Sequence, residues 1–463
     1  MDLFAVILAL GLLMWVAYRG FSVILFAPVC ALLAVLLTAP GQVLPMFSDV
    51  FMEKTAGFVK LYFPLFVLGA VFGKMIELAG FSKSIVSAVS RVVDRKRAVL
   101  AIVLVCAVLT YGGVSLFVVV FAVYPFAAEM FRQADLPKRL IPGTVALGSF
   151  TFTMDALPGS PQIQNIIPTT FFKTQSWAAP WLGVIGSAFI LALGLAYLSR
   201  QCRKAAAAGE GYGTGHLNEP APFPDERLPS AWLAVVPLVL VGVLNKLFTI
   251  AIPRHLGQTV TLDLAGKPLT VDVTRMAGLW AVEGALVVGI LFVVVCAFGR
   301  VRRRFAEGSK EAVGGSLLAS LNTASEYGFG AVIAALPGFA LVSAALTRIP
   351  NPLVNEAVTI TTLAGITGSA SGGMSIALAA MSDQFIASAN AAGIPLEVMH
   401  RVASMASGGM DTLPHNGAVI TLLAVTGLTH RTSYRDIFAM TLIKTSAVFV
   451  VIGAYYLSGG RIV

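Results

Sequence analysis

The chain is poor in charge and poor in cysteine. Of its 463 residues only 12% are Asp, Glu, Lys or Arg, and it has four cysteines and five histidines. A soluble domain carries about 25% charged residues. Charge this sparse cannot cover a water-facing surface, which excludes a soluble enzyme, and the apolar content excludes a disordered chain. Cys30, Cys106, Cys202 and Cys296 are scattered, with no CxxC and no Cys/His cluster. That excludes a disulfide scaffold and argues for no metal site. No HExxH motif, no phosphate loop and no pair of acids beside a nucleophile is present, so the sequence does not read as a membrane enzyme. Acids are scarcer than bases, 23 against 32, giving a net charge of +9. The bases cluster between apolar runs, so membrane orientation explains them better than a nucleic-acid partner.

What the chain has in plenty is apolar residues: 57% are hydrophobic and the mean hydropathy is +0.85. The runs are continuous, as in 98–110 and 284–298, whereas a transmembrane β-barrel alternates in segments of roughly ten. The class that fits is an all-α polytopic membrane protein embedded in a lipid bilayer. The start, Met1-Asp2-Leu3, lacks a basic n-region, so the first apolar run reads as a retained span.

A span needs about 20 apolar residues. Full spans are expected near 3–18, 21–38, 60–79, 178–199, 231–251, 276–299, 316–347 and 436–457. Two further runs, 140–172 and 396–429, are too long and carry Gly, Pro and Asp at their centres, as broken spans do. The segments 98–131 and 353–390 are polar at their centres and read as re-entrant hairpins. Non-helical backbone at membrane depth survives only where protein or a watery cavity satisfies it. Arg19, Arg91–Arg97, Arg132/Lys138/Arg139, Arg200/Arg203/Lys204, Arg300–Arg304 and Arg431/Arg435 then all fall on one side, the cytoplasm. Ten crossings place both termini outside, in a bacterial-type inner (plasma) membrane.

The halves echo each other. Met154-Asp155-Ala156-Leu157-Pro158 returns 256 residues later as Met410-Asp411-Thr412-Leu413-Pro414. Upstream, Tyr111-Gly112-Gly113-Val114-Ser115 matches Ser371-Gly372-Gly373-Met374-Ser375. Each half therefore reads as three spans, a hairpin, a broken span and a final span. Five crossings is an odd number, so the second half is inverted. The expected units are a first repeat 1–202, a flexible cytoplasmic linker 203–230 rich in Gly and Pro, and a second repeat 231–463. Inverted repeats with paired discontinuous helices are the pattern of secondary transporters.

Two prolines and a glycine in Leu157-Pro158-Gly159-Ser160-Pro161 cannot continue a helix. Unwinding frees backbone groups: half-helix N-termini suit an anion, and bare carbonyls suit a cation. Ser115, Ser160, Gln162, Asn165, Ser369, Ser371, His415 and Asn416 are the candidate substrate-binding residues. Asp155 and Asp411 form a symmetric acidic pair, and with His415 and Glu326 they are the candidates for ion coupling. Either Asp equally reads as a half-helix cap that never titrates. Lys74, late in the third span, reads as a snorkelling side chain.

The layout, together with the Leu157–Pro161 and Asp411–Asn416 breaks, resembles the gluconate permease family of the ion transporter superfamily. The resemblance covers most of the chain in layout and is specific around the hairpins and breaks. Gluconate permeases have a histidine- and proline-rich first break, where this chain has Gly159-Ser160. The resemblance implies H⁺ symport of a small organic anion, such as 3-hydroxybutyrate or gluconate. It also implies a homodimer in which hairpins and broken spans move together, elevator-fashion, and no bound cofactor. The alternatives are a Na⁺-coupled carboxylate or dicarboxylate symporter and an anion channel.

Overall fold

The computed structural model describes residues 2–19, 21–92, 97–114, 116–220, 228–265, 267–346, 348–414 and 416–463. Two apolar helices, α1 (Asp2–Tyr18) and α2 (Val23–Thr38), pack on each other. A continuous helical stretch, Pro40–Leu78, follows. It contains α3 (Val43–Pro45), a π-helical segment Met46–Met52, and α4 (Glu53–Leu78). The expected spans leave 39–58 as a weakly charged connection, and the structure makes it helical. Phe51, Thr55, Phe58, Tyr62 and Leu65 are buried at helical spacing, while Asp49, Glu53 and Lys54 lie exposed on other faces. The charges that resemble a loop in one dimension mark the outer face of a helix.

A short amphipathic helix, α5 (Phe81–Val92), precedes the first hairpin, α6 (Ala98–Tyr111) and α7 (Leu116–Gln133). The first broken span is α8 (Ile141–Ser149), α9 (Phe152–Asp155) and α10 (Ile163–Phe172), and α11 (Pro180–Ala207) closes the half. The second half opens with α12 (Ala231–Leu256), whose chain returns through a two-stranded antiparallel hairpin, β1 (Thr259–Leu264) and β2 (Lys267–Asp272). The alternating run Val260-Thr261-Leu262-Asp263-Leu264 forms β1, with Val260 opposite Val271. Then come α13 (Val273–Cys296), α14 (Phe298–Val301), α15 (Phe305–Ala335) and α16 (Pro337–Leu346). The eighth span was expected at 316–347. Instead α15 begins earlier and the chain breaks at Leu336-Pro337, because Pro337 starts a new helix rather than continuing the old one. The second hairpin is α17 (Pro352–Thr367) and α18 (Ala370–Ala391), the second broken span α19 (Leu396–Gly409) and α20 (Gly417–Thr426), and α21 (His430–Leu457) ends the chain.

The same order of elements thus occurs twice in an all-α membrane fold. Among the described residues five helical stretches are long and apolar enough to cross a membrane: Pro40–Leu78, α11, α12, α13 and α21. Val236, Val239, Val243 and Leu247 of α12 stand exposed, a face suited to lipid. One group of helices packs α15 against α2 and α4, and α12 against α13. The other packs the hairpins, broken spans and last helices together, with α10 on α19 and both α11 and α19 on α21. The groups meet where α18 lies along α15 and α10 touches α13.

The segment expected as a flexible linker is, in its first part, helical and then tied down. α11 runs on to Ala207. Beyond it, Arg139 Nε and Nη2 donate to the two oxygens of Glu210 at 2.7 and 2.8 Å. The Tyr212 amide donates to Asp135 at 2.9 Å. Buried Lys138 donates to Leu217 O and to Glu219, both at 2.8 Å. Asn218 Nδ2 reaches Ala424 O in the second half at 2.8 Å. Composition pointed to a tether because Gly and Pro break helices, but it could not show the polar partners waiting between α7 and α8 and on α20.

Candidate functional site

The first break follows from its own residues. Pro158 and Pro161 cannot donate, and Gly159 takes φ +80°. A Cβ at Gly159 would also run into the Trp177 ring. Side chains then meet several of the freed carbonyls. Ser160 Oγ donates to Thr153 O at 2.9 Å, and Tyr111 Oη to Pro158 O at 2.9 Å. Asn245 Nδ2 donates to Gly159 O at 3.2 Å, and Asn165 Nδ2 to both Ser160 O and Ser176 O at 2.8 Å. Ser160 and Asn165 are therefore brought to the break as expected, and their polar atoms serve its backbone.

Two buried cations, which sequence reasoning missed, brace the breaks from the second half. Arg401 of α19 is fully buried. Its guanidinium donates to Ala178 O through Nε and Nη2 at 3.1 and 2.8 Å, and to Asp155 O and Asn165 Oδ1 through Nη1 at 3.2 and 3.0 Å. Nη2 also reaches Ser176 O at 3.3 Å. Lys444 of α21 forms a buried ion pair with Asp411 and donates to Phe150 O at 2.8 Å. The signal that could have found Lys444 is its place within an expected span, where an unpaired base is costly.

His400, next to Arg401, is also fully buried. Its Nε2 lies 3.4 Å from Asn165 Oδ1 and its Nδ1 lies 2.6 Å from Thr174 Oγ1. Asn165 Oδ1 can only accept, so Nε2 carries a proton, and the Thr174 hydroxyl meets Nδ1.

The expected acidic residues diverge. Asp411 is paired with Lys444. Asp155 is buried, and its Oδ2 has no hydrogen-bond partner. Lys444, Asp411 and Arg401 are the charges that act on it. Asp155 presses so closely on Gly408 that a Cβ there would overlap Oδ2. Glu326 on α15 is buried against the tip of the second hairpin, its Oε2 also without a partner.

Each hairpin is tied to the break of its own half by a side-chain amide. Gln162 Nε2 donates to Thr110 O at 2.7 Å and Val114 O at 3.4 Å. Asn416 Nδ2 donates to Gly368 O at 2.6 Å, while its Oδ1 caps α20 by accepting from Ala418 N at 2.7 Å and Val419 N at 3.3 Å. Ser369 caps α18, accepting from Gly372 N at 3.0 Å, and Ser371 Oγ lies 3.2 Å from Thr323 Oγ1 of α15. Ser115 and His415 lie outside the described residues. Lys74 does not snorkel free: it pairs with Glu77 and Glu311 at 3.2 and 2.8 Å.

Twin hairpins beside twin broken spans, with buried ionisable groups where they meet, define a multi-pass membrane transporter. The chain is 61% identical over 470 residues to the uncharacterized transporter YxjC of Bacillus subtilis (strain 168), covering 99% of this chain and 100% of that one, and it belongs to that transporter's family. No family model matches the chain. Its fold is similar to that of the YdaH transporter of Alcanivorax borkumensis, with a TM-score of 0.51 and 15% identity, covering 92% of this chain and 90% of that one. It is also similar to MtrF of Neisseria gonorrhoeae, whose structure is described as illuminating a class of antimetabolite efflux pumps. There the TM-score is 0.52 at 12% identity, over 89% and 83% of the two chains.

Proposed function

We propose that this transporter is a secondary active symporter that imports a small hydroxy-monocarboxylate, such as 3-hydroxybutyrate or gluconate, with H⁺. In this reading the two repeats run antiparallel across the inner membrane, and the hairpins and broken spans travel as one body against the α2–α4–α12–α13–α15 frame of a homodimer. One observation carries the choice of ion. Five carbonyls at the first break, those of Thr153, Asp155, Pro158, Gly159 and Ser160, already accept from Ser160, Arg401, Tyr111, Asn245 and Asn165, whereas Asp155 and Glu326 each keep a buried oxygen with no partner. A sodium site needs several free oxygens at once; a proton needs one. The neutral residues at the hairpin tips suit a monovalent anion better than a multiply charged one.

The test is uptake of labelled 3-hydroxybutyrate and gluconate into proteoliposomes under an inward pH gradient, an inward Na⁺ gradient, or neither. Accumulation under the pH gradient alone is the expected result. Accumulation under Na⁺ alone would replace the coupling ion, passive flux without counterflow would mean a channel, and no uptake of either compound would overturn the substrate class.

A further inference from the structure

The first turn of α18, at the tip of the second hairpin, is built to receive a carboxylate, and the protein already places one there. Ser369 caps this 22-residue helix by accepting from Gly372 N–H, and the other N–H groups of its first turn, with the positive end of the helix dipole, remain open. Glu326 lies against that turn. Its Oε2 is so close to Gly372 that any Cβ at that position would overlap it. Gly372 thus admits the carboxylate. Glu326 is 4% exposed, and Oε2 makes no hydrogen bond. Ser369 is the side chain that acts on it.

Among the described residues no charged neighbour answers Glu326. On the stretch containing α4, Asp49, Glu53, Lys54 and Lys60 are exposed, and Lys74 is paired with Glu77 and Glu311. On α18, Asp383 is exposed, and α2 carries no charged residue. Glu326 also stands where the two helix groups meet, since α15 belongs to the frame and α18 to the hairpin.

The geometry points to Glu326 as a resident stand-in for the substrate, its carboxylate holding the α18 N-terminus until a proton neutralises it and an incoming carboxylate takes its place. This rests on the symport reading above and gives it a mechanism. The proton adds to a Glu326 carboxylate oxygen, and the substrate brings one negative charge to the same turn. One H⁺ and one monocarboxylate enter together, so the site's net charge does not change and the cycle is electroneutral. Proton and substrate are coupled because two carboxylates cannot share one helix end.

The experiment uses the full chain in proteoliposomes with labelled 3-hydroxybutyrate, comparing wild type, Glu326→Gln and Glu326→Asp. Gln copies the neutral acid and leaves the turn open, and gel filtration with a thermal melt verifies each fold. For wild type, apparent affinity in gradient-free exchange should weaken by up to about tenfold for each rise of one pH unit once Glu326 is ionised. Glu326→Gln should exchange at a rate flat in pH and fail to accumulate under a pH gradient. Glu326→Asp should keep coupling, and an imposed membrane potential should not alter wild-type accumulation. Wild-type accumulation under the pH gradient with Glu326→Gln accumulating equally would overturn this inference and leave the symport reading standing. A wild type that accumulates nothing under the pH gradient would remove the symport reading and this inference with it.

Discussion

The Asp411–Lys444 pair permits a sharp energetic test. Both side chains are nearly sealed from solvent, at 6% and 1% exposure. Breaking a buried pair from one side leaves an uncompensated charge and costs about 3–5 kcal/mol. Asp411→Asn should fall in that range. Lys444→Met should fall at its upper end, because Phe150 O also loses its donor, a further penalty of about 1–3 kcal/mol. The double variant Asp411→Asn/Lys444→Met removes both charges and leaves only that carbonyl, so its loss should be about 1–3 kcal/mol. For 463 residues, an unfolding entropy of about 2.1 cal/mol/K per residue makes each kcal/mol worth about 1 °C. Thermal melts in detergent should therefore show each single variant lowered by about 3–5 °C and the double variant less than either. A double variant lowered by the sum of the singles would refute the pairing argument. Transport separates a second role: if Asp411 carries the coupling ion, Asp411→Asn keeps exchange and loses gradient-driven accumulation.

Arg401→Met should destabilise more than Arg401→Lys. Of its acceptors, Asp155 O keeps Ser404, Ser176 O keeps Asn165 and Asn165 Oδ1 keeps His400, but Ala178 O loses both its Arg401 donors and Asp155 loses a neighbouring charge; melts of the two variants give the comparison. Gly408→Ala should yield no stable protein in a detergent extract, since its Cβ would overlap Asp155 Oδ2, whereas Gly417→Ala, with open space around it, should behave as wild type. Asn416→Ala should lose about 1–2 kcal/mol of cap energy and speed amide exchange over 366–372, while Asn416→Asp keeps the cap and speeds only the hairpin tip. The hydrogen bond from Arg139 holds Glu210 below the usual carboxylate value. Its contribution is therefore full at neutral pH and lost as pH falls through that depressed value, so a spin label at Thr214 should gain mobility as pH falls.

Helix breakers are sharp signals, and the boundaries they set are close. The hairpins expected at 98–131 and 353–390 run from Ala98 to Gln133 and from Pro352 to Ala391. The breaks at 140–172 and 396–429 fall within three residues of the observed ends. The electrostatics of the site were harder to read. Arg401 and Lys444 reach backbone carbonyls of the first half 223 to 294 positions away, and no local pattern announces such a meeting. Glu326 was visible as a buried acid, but its fit against Gly372 depends on how α15 and α18 pack. The tied segment after α11 was missed for the same reason: its partners lie on α7 and α20.

The two hairpin tips are held unequally, and that inequality sets an order in time. The first tip and its break share three side-chain hydrogen bonds, two from Gln162 and one from Tyr111. Among the described residues the second tip is joined to its break by one, from Asn416. At a net of about 0.5–1.5 kcal/mol each, freeing the second tip is the smaller thermal fluctuation and so the more frequent one. The second tip is then the one that parts from its break more often, and the first the one that stays joined to it.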